Sequence, residues 1–192
     1  MNQPKRFTKP PYQGQKGKCS WCGTEDLPKS RKSWCSQACV DAYLMRSSSD
    51  FIRRKVYERD KGICAKCGCD ADAEYRKWQT ARQTARRLAE RLVRMWENVG
   101  NNRHLPHTDE WRYRKEIINK YAPGNWTSGR NNGWDADHII PVAEGGGECD
   151  LSNYRTLCHP CHKIVTAELA ARLAQKRRTE KRQQSGDLFP TI

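Results

Sequence analysis

The sequence has few apolar residues and no long apolar run. Hydrophobic residues occupy 36% of the 192 positions, and the mean hydropathy is −1.01. No stretch approaches the roughly 18 apolar residues of a membrane span, and the N-terminal segment lacks the apolar centre of a secretory signal. We therefore expect neither a membrane protein nor a secreted one. We also expect a small hydrophobic core that needs disulfides or a structural metal ion to be stable.

Cysteine, in contrast, is plentiful, with ten residues. In a reducing cytosol, spaced cysteine pairs more often bind a metal ion than form disulfides. The spacings predict two tetrahedral structural Zn²⁺ sites, one from Cys19, Cys22, Cys35 and Cys39 and one from Cys64, Cys67, Cys158 and Cys161. Cys69 and Cys149 are left over as non-ligands, and the alternative for any single pair is two buried thiols.

Acidic residues are scarce relative to basic ones. Thirty-six Lys and Arg residues face 22 Asp and Glu residues, which gives a formal charge of +14, and two thiolate-bound zinc ions would lower this to about +10. Such a surplus favours a polyanionic partner, most commonly nucleic acid. The alternative is a charged surface that is only solvated.

Composition and periodicity divide the chain into segments. We predict a disordered basic arm at 1–18, a zinc knuckle at 19–46, a main domain at 47–175 with a helical insertion at about 71–122, and a basic tail at 176–192. Helices are expected at 47–59, with Ser49 as N-cap, at 71–99, at 108–121, and from Cys161 onward. Strands are expected at 134–142 and 154–157.

The helix predicted at 71–99 carries an apolar stripe and an arginine-rich face. The stripe consists of Trp78, Ala81, Ala85, Leu88, Leu92, Met95 and Val99, and the arginines are Arg82, Arg86, Arg87, Arg91 and Arg94. The arginine face could lie on DNA, or it could be the solvated side of a packing helix, which we favour.

Four polar residues follow one another along the predicted strand, loop, strand and helix. Asp137 and His138 end the first strand, Asn153 follows a glycine-rich loop, and His162 opens the last helix. Histidine suits a general base because its pKa lies near 7. Carboxylate oxygen and imidazole nitrogen together suit Mg²⁺, Mn²⁺ or another transition metal. Asn153 has no titrating group, so we expect it to hydrogen-bond backbone near His138.

This pattern resembles the HNH nuclease superfamily, with its ββα-metal core. The segments 34–39, 53–67 and 134–168 are similar to the C-terminal HNH domain of the eukaryotic zinc-finger annealing helicases, whereas 71–133 match poorly. The resemblance implies a small zinc-stapled α+β fold and a DNA endonuclease that leaves 5′-phosphate and 3′-hydroxyl ends. It assigns the general base to His138, one catalytic divalent cation to Asp137 and His162, and a positioning role to Asn153.

Further residues are candidates for contacts with partners. Arg53, Arg54, His159 and Lys163 are predicted to bind DNA, duplex or branched, although solvent exposure alone is an equal reading for His159 and Lys163. The tail sequence Gln184-Ser-Gly-Asp-Leu188-Phe189 resembles peptides that bacterial replication and repair proteins dock into the sliding clamp. It could equally pack on its own domain.

Two functions remain open at this level. The first is a metal-dependent DNA endonuclease. The second is a zinc-dependent DNA-binding module that does not cut and acts as a clamp or repair accessory. In either case we expect a cytoplasmic or nucleoid-associated protein of bacterial or phage origin.

Overall fold

The structure is a computed structural model that describes residues 9–99, 107–147 and 150–186. It is a mixed fold, as predicted, with five α-helices and a small antiparallel two-stranded sheet in the described residues. The helices are α1 (Gln37–Ser47), α2 (Ser49–Asp60), α3 (Ala71–Val99), α4 (His107–Tyr121) and α5 (His159–Gly186), and the strands are β1 (Trp134–His138) and β2 (Tyr154–Cys158). None of the described helices combines the length and the apolar character needed to cross a membrane.

The described residues form two compact units. One contains those up to Gly68 and those of Trp134–Leu157, and the other contains those of Cys69–Gly133 and those from Cys158 onward. The sheet therefore belongs to the first unit, except for its last residue. The helical insertion belongs to the second.

In the first unit, α2 is bounded by a cap at each end and is bonded to the sheet at its C-terminal end. The side chain of Ser48, rather than the predicted Ser49, accepts the hydrogen bond from Phe51 N and caps the helix. Lys61 ends the helix in the left-handed conformation, with φ of 54°. Asp60 then accepts two hydrogen bonds on Oδ2 from the buried Thr156, one from its backbone N at 3.1 Å and one from its hydroxyl at 3.0 Å. The end of α2 is thus tied to β2.

In the second unit, α3 packs against α4 through small side chains. Ala85, Ala89 and Val93 of α3 are buried, as is Ile117 of α4. The predicted apolar stripe agrees with the buried face at Ala85 but departs from it farther along the helix, where Met95 of the stripe is 51% exposed. Alanines allow close helix approach on more than one face, so the sequence pattern alone did not identify the buried one.

Both predicted terminal segments contain turns or helix where they are described, and the last helix runs into the basic residues 176–182 as predicted. Residues 9–18 form turns instead of a disordered arm, and Tyr12 N donates to Ser20 O at 3.0 Å. At the other end, α5 continues through the predicted basic tail as far as Gly186. Residues 1–8 and 187–192 lie outside the described part of the chain.

Candidate functional site

The first cysteine group brings four sulfur atoms together. The ligand atoms of Cys19, Cys22, Cys35 and Cys39 all lie within 4.8 Å of one another. The Sγ atoms of Cys35 and Cys39 are 3.5 Å apart, and those of Cys22 and Cys35 are 3.6 Å apart. These distances are far above the roughly 2.05 Å of a disulfide. They are close to the edge of about 3.8 Å of a tetrahedron with Zn–S bonds of about 2.3 Å, so the group fits zinc.

Burial and hydrogen bonding shift the pKa values of thiols in this group. Burial raises the pKa of the Cys19 thiol, but hydrogen bonds from the backbone of Cys22, Cys35 and Trp21 outweigh it and lower that pKa to about 6. Burial raises the pKa of Cys39 to about 12. Four thiolates cannot share so small a space without a cation, which is the electrostatic condition of a structural zinc site.

The second cysteine group also assembles as predicted. Cys64, Cys67, Cys158 and Cys161 place their sulfur atoms within 4.8 Å of one another, and all except Cys67 are buried. Cys158 is the last residue of β2, and Cys161 lies in the first turn of α5. The group can therefore hold a second zinc ion. Cys69 belongs to neither group, and Cys149 lies outside the described residues.

His138 ends β1 in a confined position. Its ring lies against that of Tyr154 on β2, with a centroid distance of 4.4 Å. Burial lowers the pKa of His138, and the neighbouring Asp137 carboxylate opposes this shift. The imidazole is therefore predominantly neutral near pH 7 and can accept a proton.

Asn153 joins the two sides of the glycine-rich loop. Its Oδ1 accepts from Ile140 N at 2.8 Å, and its Nδ2 donates to Ile140 O and to Gly146 O, each at 3.1 Å. A Cβ at Gly146 would collide with Ile140 O, so only glycine permits this close approach. The side chain thus fixes the backbone two residues beyond His138.

The remaining predicted site residue, His162, lies one position after Cys161 in the first turn of α5 and is half-buried. It is not one of the four residues of the second cysteine group. On a helix, adjacent side chains diverge by about 100°. The zinc ligand and the predicted ligand of the catalytic cation therefore point in different directions.

Comparison with known proteins indicates the family of this chain. The model of the HNH endonuclease family matches residues 123–168. The DNA annealing helicase and endonuclease ZRANB3 is 32% identical in Mus musculus and 31% in Homo sapiens, each over 161 residues. The match covers 82% of this chain but 13% of the length of either relative. The crystal structure of the human ZRANB3 HNH domain is 30% identical, with 69% of this chain and 97% of that chain covered and a TM-score of 0.38.

The chain belongs to the HNH endonuclease family.

One residue of the HNH site was missed by sequence reasoning. Arg155 on β2 donates from Nε and from Nη2 to Oδ2 of Asp137 on β1, at 3.0 and 2.9 Å. Both side chains are mostly buried, with exposures of 29% and 15%. No local motif marks this arginine, because the contact depends on the register between the strands. The guanidinium of Arg155 on β2 therefore holds the carboxylate of Asp137 on β1.

Two of the residues predicted to contact DNA, His159 and Arg53, make contacts within the protein. His159 is 1% exposed and packs edge-on against Tyr75 and Trp126, so the prediction that it contacts DNA is wrong. Arg53 donates to Trp134 O at 3.0 Å and pairs with Asp135, and its guanidinium lies over the Trp134 ring.

Arg54 and Lys163 lie nearer the surface. Arg54 is 63% exposed, with Glu58 at 3.9 Å. Lys163 donates to the backbone and side-chain oxygens of Asn125. Contact of either residue with DNA stays a prediction.

The predicted clamp peptide is tested only at its first residue. Gln184 is exposed near the end of α5. Leu188 and Phe189 lie outside the described residues. Binding to a sliding clamp stays a prediction, to be examined by deleting residues 183–192.

Proposed function

We propose that this chain is a metal-dependent endonuclease that hydrolyses DNA phosphodiester bonds and leaves 5′-phosphate and 3′-hydroxyl ends. The observation that carries the proposal is the neutral, confined imidazole of His138 at the end of β1, next to the Asp137 carboxylate. A protein that only bound DNA would need neither group. The membership of the HNH family supports a nuclease-type function.

In the proposed reaction, His138 accepts the proton of the water molecule that attacks the phosphorus atom. Contact with Tyr154 restricts rotation of the imidazole, which keeps its nitrogen aimed at one position. Asn153 closes the loop after β1 and so steadies the strand end that carries the base.

Asp137 and His162 are the proposed ligands of one catalytic divalent cation. Their oxygen and nitrogen donors fit Mg²⁺, Mn²⁺ or another transition metal. Such an ion supplies stabilisation of the negative charge that develops on the phosphate and the leaving oxygen. Arg155 holds the Asp137 carboxylate in place. The two cysteine groups are the proposed sites of two structural Zn²⁺ ions.

The test is a cleavage assay on plasmid, branched and single-stranded DNA, with Mg²⁺ or Mn²⁺ and without either. We expect His138→Ala to cut at least about 100-fold more slowly than wild type. His107→Ala, outside the HNH motif, serves as the matched control and should cut normally. Equal cutting by His138→Ala would refute the assignment of the base. No cutting by wild type on any substrate would favour the non-cleaving DNA-binding module.

A further inference from the structure

A groove runs between α3 and α4, and the residues of these two helices that line it precede the segment that the HNH family model matches. Its volume is about 580 Å³, which is within the range of ligand-binding clefts. The side chains that distinguish it are aromatic or basic, namely Trp78, Arg82, Arg86, Trp111, Arg114 and Lys115. None of them takes part in the proposed cleavage reaction.

Trp78 forms a fixed part of the groove wall. Its indole N–H donates to Ala122 O at 3.2 Å, and its ring stacks on Tyr75. The guanidinium of Arg82 lies 5.4 Å from the Trp78 ring centroid. The ring and its cation are therefore presented together on one rigid surface.

Trp111 is the most exposed aromatic residue of the groove. It is 59% exposed, and Lys115 Nζ lies 4.7 Å from its ring centroid. A large aromatic surface left in water is available to pack against a ligand. An exposed indole with a cation above it offers a stacking surface and a charge at the same point.

The groove has a surplus of positive charge. Four cationic side chains line it, against the single carboxylate of Glu90. Arg114 is compensated by Glu110 one helical turn away, but its Nε is buried and has no hydrogen-bond partner. The cations of the groove other than Arg114 are Arg82, Arg86 and Lys115.

We propose that this groove binds an unpaired DNA strand, with a base stacked on Trp111 and phosphates contacted by Arg82, Arg86 and Lys115. Alternating aromatic faces and cations are the usual means of holding single strands, because every unpaired base offers a flat face. A duplex keeps its base faces stacked inside and could use only the cations. The inference takes DNA as ligand from the proposed function, and gives that function a preference for substrates with a single-stranded segment.

The experiment measures binding and not cleavage. Fluorescence anisotropy of a labelled 12-nucleotide single strand and of the matching duplex is recorded with the full chain carrying His138→Ala, without added Mg²⁺ or Mn²⁺. We expect Trp111→Ala to raise the Kd for the single strand about tenfold and to change the Kd for the duplex less. Trp96→Ala is the matched control, since Trp96 is an exposed tryptophan of α3 that does not line the groove.

A second pair of variants tests the charges. Arg82→Gln with Arg86→Gln should weaken single-strand binding and reduce the log–log salt slope by about 1.4. Arg87→Gln with Arg91→Gln removes the same charge from α3 outside this groove and should have the smaller effect. Equal losses from both arginine pairs would overturn the proposal, as would an unchanged Kd with Trp111→Ala. Failure of cleavage in the previous assay would leave these binding results interpretable.

Discussion

The arginines near strands β1 and β2 differ in their contacts from those along helices α3 and α4. Around β1 and β2, the guanidinium donors are used within the protein: Arg59 donates to Leu151 O and Tyr154 O, Arg53 to Trp134 O, and Arg155 to Asp137. Along the α3–α4 groove, Arg82 and Arg86 instead line an open cleft. A basic composition therefore does not distinguish arginines that are hydrogen-bonded within the protein from arginines that are available to a partner.

The difference has a physical origin. A two-stranded sheet is too small to be stable by itself, so carbonyl and carboxylate groups at its edges are satisfied by neighbouring side chains. Two long helices satisfy their own backbone groups and leave their polar side chains available. The arginines of the strand region are hydrogen-bonded to the protein, whereas in our proposal Arg82 and Arg86 of the helical region contact a ligand.

The largest effect is expected from removing a ligand of the second cysteine group, which lies at the end of β2. Cys64→Ser should lose one of two zinc ions per chain and with it the native fold, since a structural zinc site contributes on the order of 10 kcal/mol. Elemental analysis and thermal unfolding would measure this. Cys69→Ser, which lies in neither cysteine group, should keep both ions. Two zinc ions retained in Cys64→Ser would contradict the proposed site.

A second experiment asks whether Arg155 serves the HNH site through Asp137. Arg155→Ala should lower kcat about 10- to 100-fold, as loss of a residue that orients a metal ligand does, and should shift the Mn²⁺ titration of activity. Arg155→Lys should recover part of the rate. Arg177→Ala on α5 is the control. An unaltered rate and an unaltered metal dependence would show that the pair is incidental.

The link between α2 and β2 should be sensitive to acid. The hydrogen bond from Arg59, and then those from Thr156, lower the pKa of Asp60 below its ordinary value of 3.8. Stability from Asp60 is therefore present above that value and is lost as the pH falls through the lower, folded-state pKa. Asp60→Asn should reduce the free energy of unfolding at pH 7 by about 2 kcal/mol and flatten its decline in acid.

A matched variant on the same helix separates charge from position. Glu58 is 51% exposed and pairs only with Arg54 and Lys55 among the ion pairs of α2 described. Glu58→Gln should change the free energy of unfolding by less than about 0.5 kcal/mol. Chemical denaturation of both variants between pH 3 and pH 7 would measure how the free energy of unfolding depends on pH in each. An equal response would mean that the Asp60–Thr156 contact contributes little.

The smallest expected effect distinguishes an arginine bonded to the strands from an arginine of the α3–α4 groove. Arg53→Ala should lower the free energy of unfolding by about 1 kcal/mol and leave the Kd for DNA unchanged, because Arg53 is bonded to β1. Arg82→Ala should do the reverse. Denaturation and anisotropy on the same preparations would test both, and a loss of DNA affinity in Arg53→Ala would remove the distinction.

Much of the architecture could be predicted from the sequence because its signals are local. Both cysteine groups followed from spacing, and the two strands and helices α2 to α5 from periodicity and local signals, whereas α1 was not predicted. The family was indicated by the resemblance of the Asp-His, Asn and His motif. The cap of α2 was misplaced by one residue because Ser47, Ser48 and Ser49 are chemically equal, and only the backbone distinguishes Ser48. The buried face of α3 was misjudged because its alanines fit more than one side.

The amino-acid sequence alone indicated the ligand chemistry: cysteine pairs separated by two or three intervening residues, and an Asp-His, Asn and His in HNH order. Only the tertiary structure decided that Arg155 meets Asp137, that His159 is buried between Tyr75 and Trp126, and that α3 and α4 leave a groove. Ligand spacing is encoded within a few residues of chain, whereas contacts between elements depend on strand register and helix rotation, which no short stretch of sequence contains.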